Sequence, residues 1–429
     1  LLFLIVAIFY IPGCSNLNAA DLEDKTEAEK EDNLSNEHNN DNRGLANDEL
    51  NRPQEDSTKE QVLDEVAKQI SEMSIEEKVG QMVFTGIEGT IIDGNTAELI
   101  ERYKIGGIIL LGENIINVSQ AQELLNSLKA LNKKNGNIPL FLGVDQEGGR
   151  VNRMPKDYAK IPAAKEIGKI NNREFAYEVG NLLGIQVKSL GFNLDFAPVL
   201  DVNSNPKNTV IGNRAFGSDS NIVSELGIQT MKGISSQGII PVIKHFPGHG
   251  NTSVDSHTGL PVENADIKRL KDFETIPYDN AIKNGAEMVM VAHILFPKID
   301  PDNPSSLSKS IITDLLKKYL EFDGLVITDD MTMGAIIDNY NIGEAAVKSV
   351  NAGSDIILVC HDYSKEKLAL EALADAVKRG SIDENSVDRS VYKIIKLKEK
   401  YRIEDENTAN ADVNSINFKV KNILSKYMK

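Results

Sequence analysis

Gly238-Ile-Ile-Pro-Val-Ile243 is an uninterrupted apolar run, and Lys244-His245-Phe-Pro-Gly-His249-Gly-Asn-Thr-Ser-Val-Asp255-Ser-His257-Thr-Gly-Leu-Pro261 follows it directly. The first part reads as a short strand buried on both faces. The second holds three of the chain's six histidines. Glycine and proline cut it too often for a helix or a plain strand. A buried strand that opens at its C-terminal end into a polar, histidine-rich loop is where α/β proteins place chemistry.

Working outward, the same pattern recurs. Apolar runs at 81–86, 107–111, 140–144, 193–199, 239–244, 287–292, 325–328 and 355–359 make eight candidate strands. Amphipathic stretches with 3.6-residue periodicity lie between them, at 119–134, 174–190, 222–237, 266–283, 309–319, 343–351 and 366–379, several ending at a glycine. Eight β and α units in alternation predict a single catalytic domain with an α/β, TIM (β/α)8 barrel fold. The alternative is an open, doubly wound sheet. It lacks support because no glycine-rich phosphate fingerprint follows the first strand. After the eighth strand the remaining residues hold two helices, one at 386–401, but not a second domain.

The chain carries a net charge of −17, which disfavours nucleic acid as a partner. Residues 15–60 hold 14 acidic and 5 basic residues with many Asn and Ser, the composition of a disordered, self-repelling tether. Residues 1–11 are almost wholly apolar and meet Pro12-Gly13-Cys14. That run is too short to span a bilayer and suits a signal-peptide core. The segment 1–14 resembles a lipoprotein signal, with Cys14 as the lipidated residue and the lipid as a membrane anchor outside the cytoplasm; a plain secreted protein is the alternative. It has neither an initiator Met nor a basic region and reads as truncated. The expected organisation is signal 1–14, tether 15–60, barrel 61–403 and C-terminal extension 404–429.

In a barrel the functional groups sit at the C-terminal strand ends. The polar residues there are Asp145, Glu147, Asp201, Lys244, His245, His293, Asp329 and Asp330. Any one of them could be a helix cap; their recurrence on one face argues for a site. The strand Gly324-Leu-Val-Ile-Thr-Asp329, the Lys244-to-Gly250 loop and Asp255-Ser-His257 together resemble glycoside hydrolase family 3, in its β-N-acetylglucosaminidase (NagZ-like) branch. The resemblance runs from about Met73 to Arg402.

That resemblance implies a retaining glycosidase acting on a carbohydrate with terminal N-acetylglucosamine, with no cofactor and no metal. Asp329 matches the nucleophile, His257 the acid/base and Asp255 its orienting partner. Asp145, Arg153, Arg214, Lys244 and His245 match positions that hold the sugar. The chemistry is coherent: retention needs a nucleophile on one side of the anomeric carbon and an acid/base on the other. A neutral imidazole as acid/base adds no second negative charge beside the nucleophile, and a carboxylate two residues away can fix its tautomer. Asp330, adjacent on an extended segment, is expected to point away from the sugar. His249 is expected to organise its loop, and Arg150 to be structural. Three other readings are open: a metal-dependent hydrolase using His245, His293 and Asp329, which lacks a ligand on strand one; a phosphorylase using the same site; and a non-catalytic, surface-tethered sugar-binding protein.

Overall fold

The computed structural model describes residues 64–252, Ser256 and 259–428. Eight parallel strands form the centre: β1 (Val83–Thr85), β2 (Gly107–Leu110), β3 (Phe141–Val144), β4 (Leu194–Asp195), β5 (Ile240–Phe246), β6 (Met288–Val291), β7 (Leu325–Thr328) and β8 (Ile357–Val359). They are ordered β7-β6-β5-β4-β3-β2-β1-β8. A parallel bridge between Ile327 and Ile356 joins the two end strands and brings the ring nearly to closure. Every residue in these strands is buried, which is why they read as continuous apolar runs rather than alternating ones. Helices surround the ring, so the fold is the expected (β/α)8 barrel.

Helix starts follow local chemistry. Ser74 and Glu77 form a reciprocal capping box on Ile75–Gln81. Asn117, Asn172 and Asp219 cap the helices Val118–Lys134, Arg173–Leu190 and Ser220–Ser235 with their side chains. These three helices match the periodic stretches read from the sequence.

The differences have local causes. Gln81, expected to open the first strand, instead ends the helix Ile75–Gln81. β4 stops at Asp195 rather than continuing to Val199, since Pro198 has no N–H to continue a ladder. The backbone stays in place beyond it, with Phe196 N donating to Val144 O at 2.9 Å and Leu200 N to Lys244 O at 2.7 Å. The stretch 266–283 is not one helix but Ile267–Arg269, a wide-turned segment Leu270–Glu274 and Ile276–Lys283. Pro277 stands in the first turn of the last, where its missing N–H costs nothing.

β5 runs two residues further than expected, to Phe246, and its register against β6 shifts between Ile243 and Phe246. Such irregularities bend a strand and re-aim its side chains. This one falls at Lys244 and His245, whose connecting peptide is cis.

The C-terminal residues pack on the barrel. Asp405 accepts from Asn132 Nδ2 at 2.6 Å and from Leu140 N at 3.3 Å. The helix Val413–Tyr427 stacks Tyr427 on Phe175 with ring centres 4.8 Å apart.

Candidate active site

The C-terminal strand ends surround a cavity of about 700 Å³. Asp145, Glu147, Arg153, Arg214, Lys244, His245, His249, Ser256 and Asp329 line it. The sequence-derived candidates Asp145, Arg153, Arg214, Lys244, His245 and Asp329 therefore share one chamber. Asp255, His257 and Cys14 lie outside the described residues.

Alternation after β3 builds one wall. Asp145 and Glu147, two residues apart in extended chain, both reach Lys244. Gln146 between them turns the other way, its side-chain Nε2 donating to Asn152 Oδ1 and its backbone N–H to Asp195 Oδ1. Gln146 Oε1 accepts from Arg153 N at 2.9 Å, which returns Arg153 to the cavity. Arg153 Nε is buried with no hydrogen-bond partner among the described residues.

At the centre is a ladder of charges. Lys244 Nζ lies 2.5 Å from Asp145 Oδ1 and 2.8 Å from Glu147 Oε1. Glu147 also receives Arg214 in a two-pronged pair, at 2.7 and 2.8 Å. Arg214 Nη2 meets His245 Nε2 at 3.2 Å. A guanidinium only donates, so Nε2 is the acceptor and the His245 proton resides on Nδ1. Nδ1 in turn donates to Asp201 Oδ2 at 2.7 Å. The tautomer is thereby set from both sides.

The charges decide each other. Burial pushes Glu147 up, but Arg214 and Lys244 outweigh it and hold the carboxyl well below the usual range. Burial pulls Lys244 down, and Asp145 and Glu147 more than reverse it. Arg214 is likewise raised against burial by Glu147. Asp201 ends below its ordinary value because His245 and His249 overcome its desolvation. Asp195 forms no ion pair among the described residues. Burial drives it well above its ordinary value, against the Gln146 N–H and Lys244, and the neighbouring Asp145 and Glu147 add to the rise.

Asp329 ends β7, with its N–H donating to Val291 O at 2.9 Å. Both Asp329 and Asp330 border the cavity. Their commitments differ. Asp330 accepts from Thr332 N, Thr332 Oγ1 and Cys360 N at 2.9, 2.6 and 2.9 Å, so its carboxylate holds the loop together. Asp329 Oδ1 takes the N–H of Asp330 at 2.9 Å.

The other histidines have structural partners. His249 N donates to Asp201 Oδ1 at 2.6 Å, and its ring Nδ1 meets Thr252 Oγ1 at 2.6 Å, in keeping with a loop-organising role. His293 Nε2 donates to Asp330 O at 2.9 Å, while Nδ1 meets Ser306 Oγ at 2.6 Å. Both ring nitrogens of His293 are thus engaged in hydrogen bonds. Arg150 donates to the carbonyls of Thr209 at 2.8 Å, Val210 and Ile211, bracing the loop before Arg214.

Two contributors were visible only as polar strand ends. Glu147 joins Lys244 to Arg214, and Asp201 joins His245 to His249. The Asp145-x-Glu147 spacing pointed to the first. For the second, a carboxylate just past an apolar strand was the only signal.

The protein-family model for the glycosyl hydrolase family 3 N-terminal domain matches residues 74–397. Beta-hexosaminidase A of Pseudoalteromonas piscicida is 35% identical over 334 residues, covering 72% of this chain and 56% of that protein. The chain thus spans little more than half the length of that relative. A beta-hexosaminidase of Nitrosomonas eutropha is 30% identical over 325 residues, covering 74% of this chain and 92% of that protein. The solved glycoside hydrolase family 3 beta-N-acetylglucosaminidase of Paenibacillus sp. is 37% identical with a TM-score of 0.79, covering 83% of this chain and 69% of that one. The family match takes in well over half of the chain, and together with the barrel and its ladder of strand-end charges it means that the chain belongs to the glycosyl hydrolase family 3 of enzymes.

Proposed function

We propose that the protein is a retaining exo-β-N-acetylglucosaminidase that removes nonreducing terminal N-acetylglucosamine from peptidoglycan fragments through a covalent glycosyl-Asp329 intermediate. The observation that carries this reading is the pairing within one cavity of Asp329 with the Lys244–Glu147–Arg214–His245 ladder. The ladder offers charged donors and acceptors fixed in place before a polyol arrives. Such groups give directional bonds that strengthen as charge develops on the sugar. Asp329 attacks the anomeric carbon while His257, oriented by Asp255, protonates the departing oxygen. His257 then takes a proton from the water that releases the sugar. Asp145, Arg153, Arg214, Lys244 and His245 hold the ring during both steps.

We place the enzyme outside the cytoplasmic membrane, tethered by a lipid on Cys14; among the described residues no helix is long and apolar enough to cross a membrane. Loss of labelled-lipid incorporation in Cys14→Ser tests the anchor. The reaction is tested by product analysis on GlcNAc–MurNAc fragments with and without phosphate. Free N-acetylglucosamine in both conditions is the expected result. A sugar phosphate formed only with phosphate present would make the protein a phosphorylase, and binding without turnover would make it a sugar-binding protein.

A further inference from the structure

The triplet Asp255-Ser256-His257 has a described middle, Ser256, which is 3% exposed and lines the cavity. Its carbonyl accepts the N–H of Ala335 at 3.1 Å. Its hydroxyl lies 3.4 Å from His249 Nε2. Each contact ties the residue to a different part of the site. Ala335 belongs to the turn Gly334–Ile337, a few residues past Asp329 in the same β7 loop. His249 belongs to the root of the loop after β5.

The direction of the His249 bond can be worked out. The Thr252 hydroxyl has one proton, and it goes to His249 O at 3.0 Å. The 2.6 Å contact between Thr252 Oγ1 and His249 Nδ1 must then carry the imidazole proton. That leaves Nε2 as a bare acceptor, facing the Ser256 hydroxyl. Burial holds the His249 ring below its ordinary pKa despite Asp201, which keeps that lone pair available.

The root is itself fixed. Asn208 Nδ2 donates to His249 O at 2.8 Å, and Asn205 Nδ2 to the carbonyls of Asn251 and Thr252 at 3.3 Å each. Gly250 passes so close to the loop after β4 that a Cβ there would lie 1.9 Å from Val202 O. Only glycine permits that approach.

We infer that Ser256, held between His249 and Ala335, is a positioning residue for proton transfer to the glycosidic oxygen. The inference rests on the proposed acid/base role of His257. Consecutive Cα atoms are about 3.8 Å apart across a trans peptide, so whatever holds Ser256 limits where both of its covalent neighbours can go. The His249–Ser256 and Ala335–Ser256 bonds thereby couple the proton donor's loop to the nucleophile's loop. A serine that merely satisfied a buried histidine would affect stability without regard to the substrate's leaving group.

The full chain is assayed on two substrates, chitobiose and 2,4-dinitrophenyl N-acetyl-β-glucosaminide, whose phenol leaves without help from an acid. Ser256→Ala is expected to lower kcat/KM on chitobiose about tenfold and on the aryl glycoside less than about twofold. Ser256→Thr, which keeps the hydroxyl, restores most of the loss. His249→Gln shows the same split, and the double variant falls little further than either single one because both remove one contact. His257→Ala is run alongside. If it shows the leaving-group split and Ser256→Ala does not, the positioning role is overturned while the acid/base assignment stands. If His257→Ala itself affects both substrates alike, the acid/base assignment falls and the inference falls with it.

Discussion

Lys244 and Lys398 stand at opposite ends of the barrel, and each is almost wholly buried, 1% and 3% exposed. Burial acts on both in the same direction, disfavouring the ammonium. At the C-terminal end, Asp145 and Glu147 overcome it and Lys244 sits above its ordinary pKa. At the N-terminal end, Lys398 donates to Gln81 Oε1 and Gly106 O, both at 2.9 Å, and lies over the Phe141 ring. Those acceptors are neutral. Desolvation wins despite Asp405, and Lys398 falls to about 7. The difference shows what a functional end costs. The C-terminal face keeps charges that the protein must balance pairwise, whereas the N-terminal face holds one lysine on neutral acceptors.

The comparison breaks first at Asp329, if the charged end does not carry chemistry. Asp329→Ala is expected to lower kcat/KM by about 10⁴-fold or more, as removal of a nucleophile does in enzymes whose catalytic groups act as a unit. Melting behaviour should stay near that of the parent. Substantial residual turnover at full substrate saturation would mean that another group attacks the sugar.

Next in size is Lys244→Met, which removes the centre of the ladder and leaves Asp145 and Glu147 to share Arg214. Breaking a buried pair by removing one partner costs about 3–5 kcal/mol. Urea unfolding should show a loss of that order, with kcat/KM falling about 10³-fold as a charged sugar contact disappears. Unchanged unfolding would mean that solvent already screens the pair and that the burial argument fails at this end.

How legible these two ends were in the sequence differs for a physical reason. The barrel was readable because strands buried on both faces leave short, wholly apolar runs, and eight of them recur from Val83 to Val359. Lys244, His245 and Asp329 were readable because each stands at the last residue of such a run or just past it. What remained hidden depends on tertiary contact. Nothing local says that Glu147 meets Arg214 across 67 residues of chain, or that Asp201 serves His245 and His249. The shortened β4 was hidden too, because the apolar run continues past Asp195 while Pro198 removes the ladder donor. Lys398 was the least visible: in a periodic helix with basic neighbours it reads as a solvated residue, and only the closed barrel bottom buries it.

A finer test of the charged end is the histidine tautomer. Asp201→Asn leaves one acceptor oxygen for His245 Nδ1–H and the His249 N–H, which two carboxylate oxygens serve in the parent. The imidazole can keep its proton on Nδ1 and lose Asp201's carboxylate, or move it to Nε2 and oppose Arg214. Either way the Nε2 edge of His245 loses its fixed presentation beside Arg214. A fall of about 10²-fold in kcat/KM is expected, smaller than at a nucleophile because the role proposed for His245 is to hold the sugar rather than to react. Full activity in this variant would show that Arg214, and not Asp201, sets the ring.

The smallest effect on activity is expected at the opposite end, where the change concerns stability alone. The unfolded chain keeps the Lys398 proton up to about its ordinary pKa of 10.5, whereas the folded chain releases it near 7. Between these values the unfolded state binds more protons, so raising the pH favours folding. Below about 7 the penalty is fully present, and by 10.5 it has largely gone. Lys398→Met should therefore flatten the rise in unfolding free energy between pH 7 and pH 10 by roughly 3–4 kcal/mol, whatever the two lost hydrogen bonds cost at a fixed pH. Its kcat/KM should match that of the parent, since the substitution lies a barrel's length from the cavity. An unchanged pH slope would show that Lys398 stays charged when buried. The two ends of the barrel would then solve the same electrostatic problem in the same way.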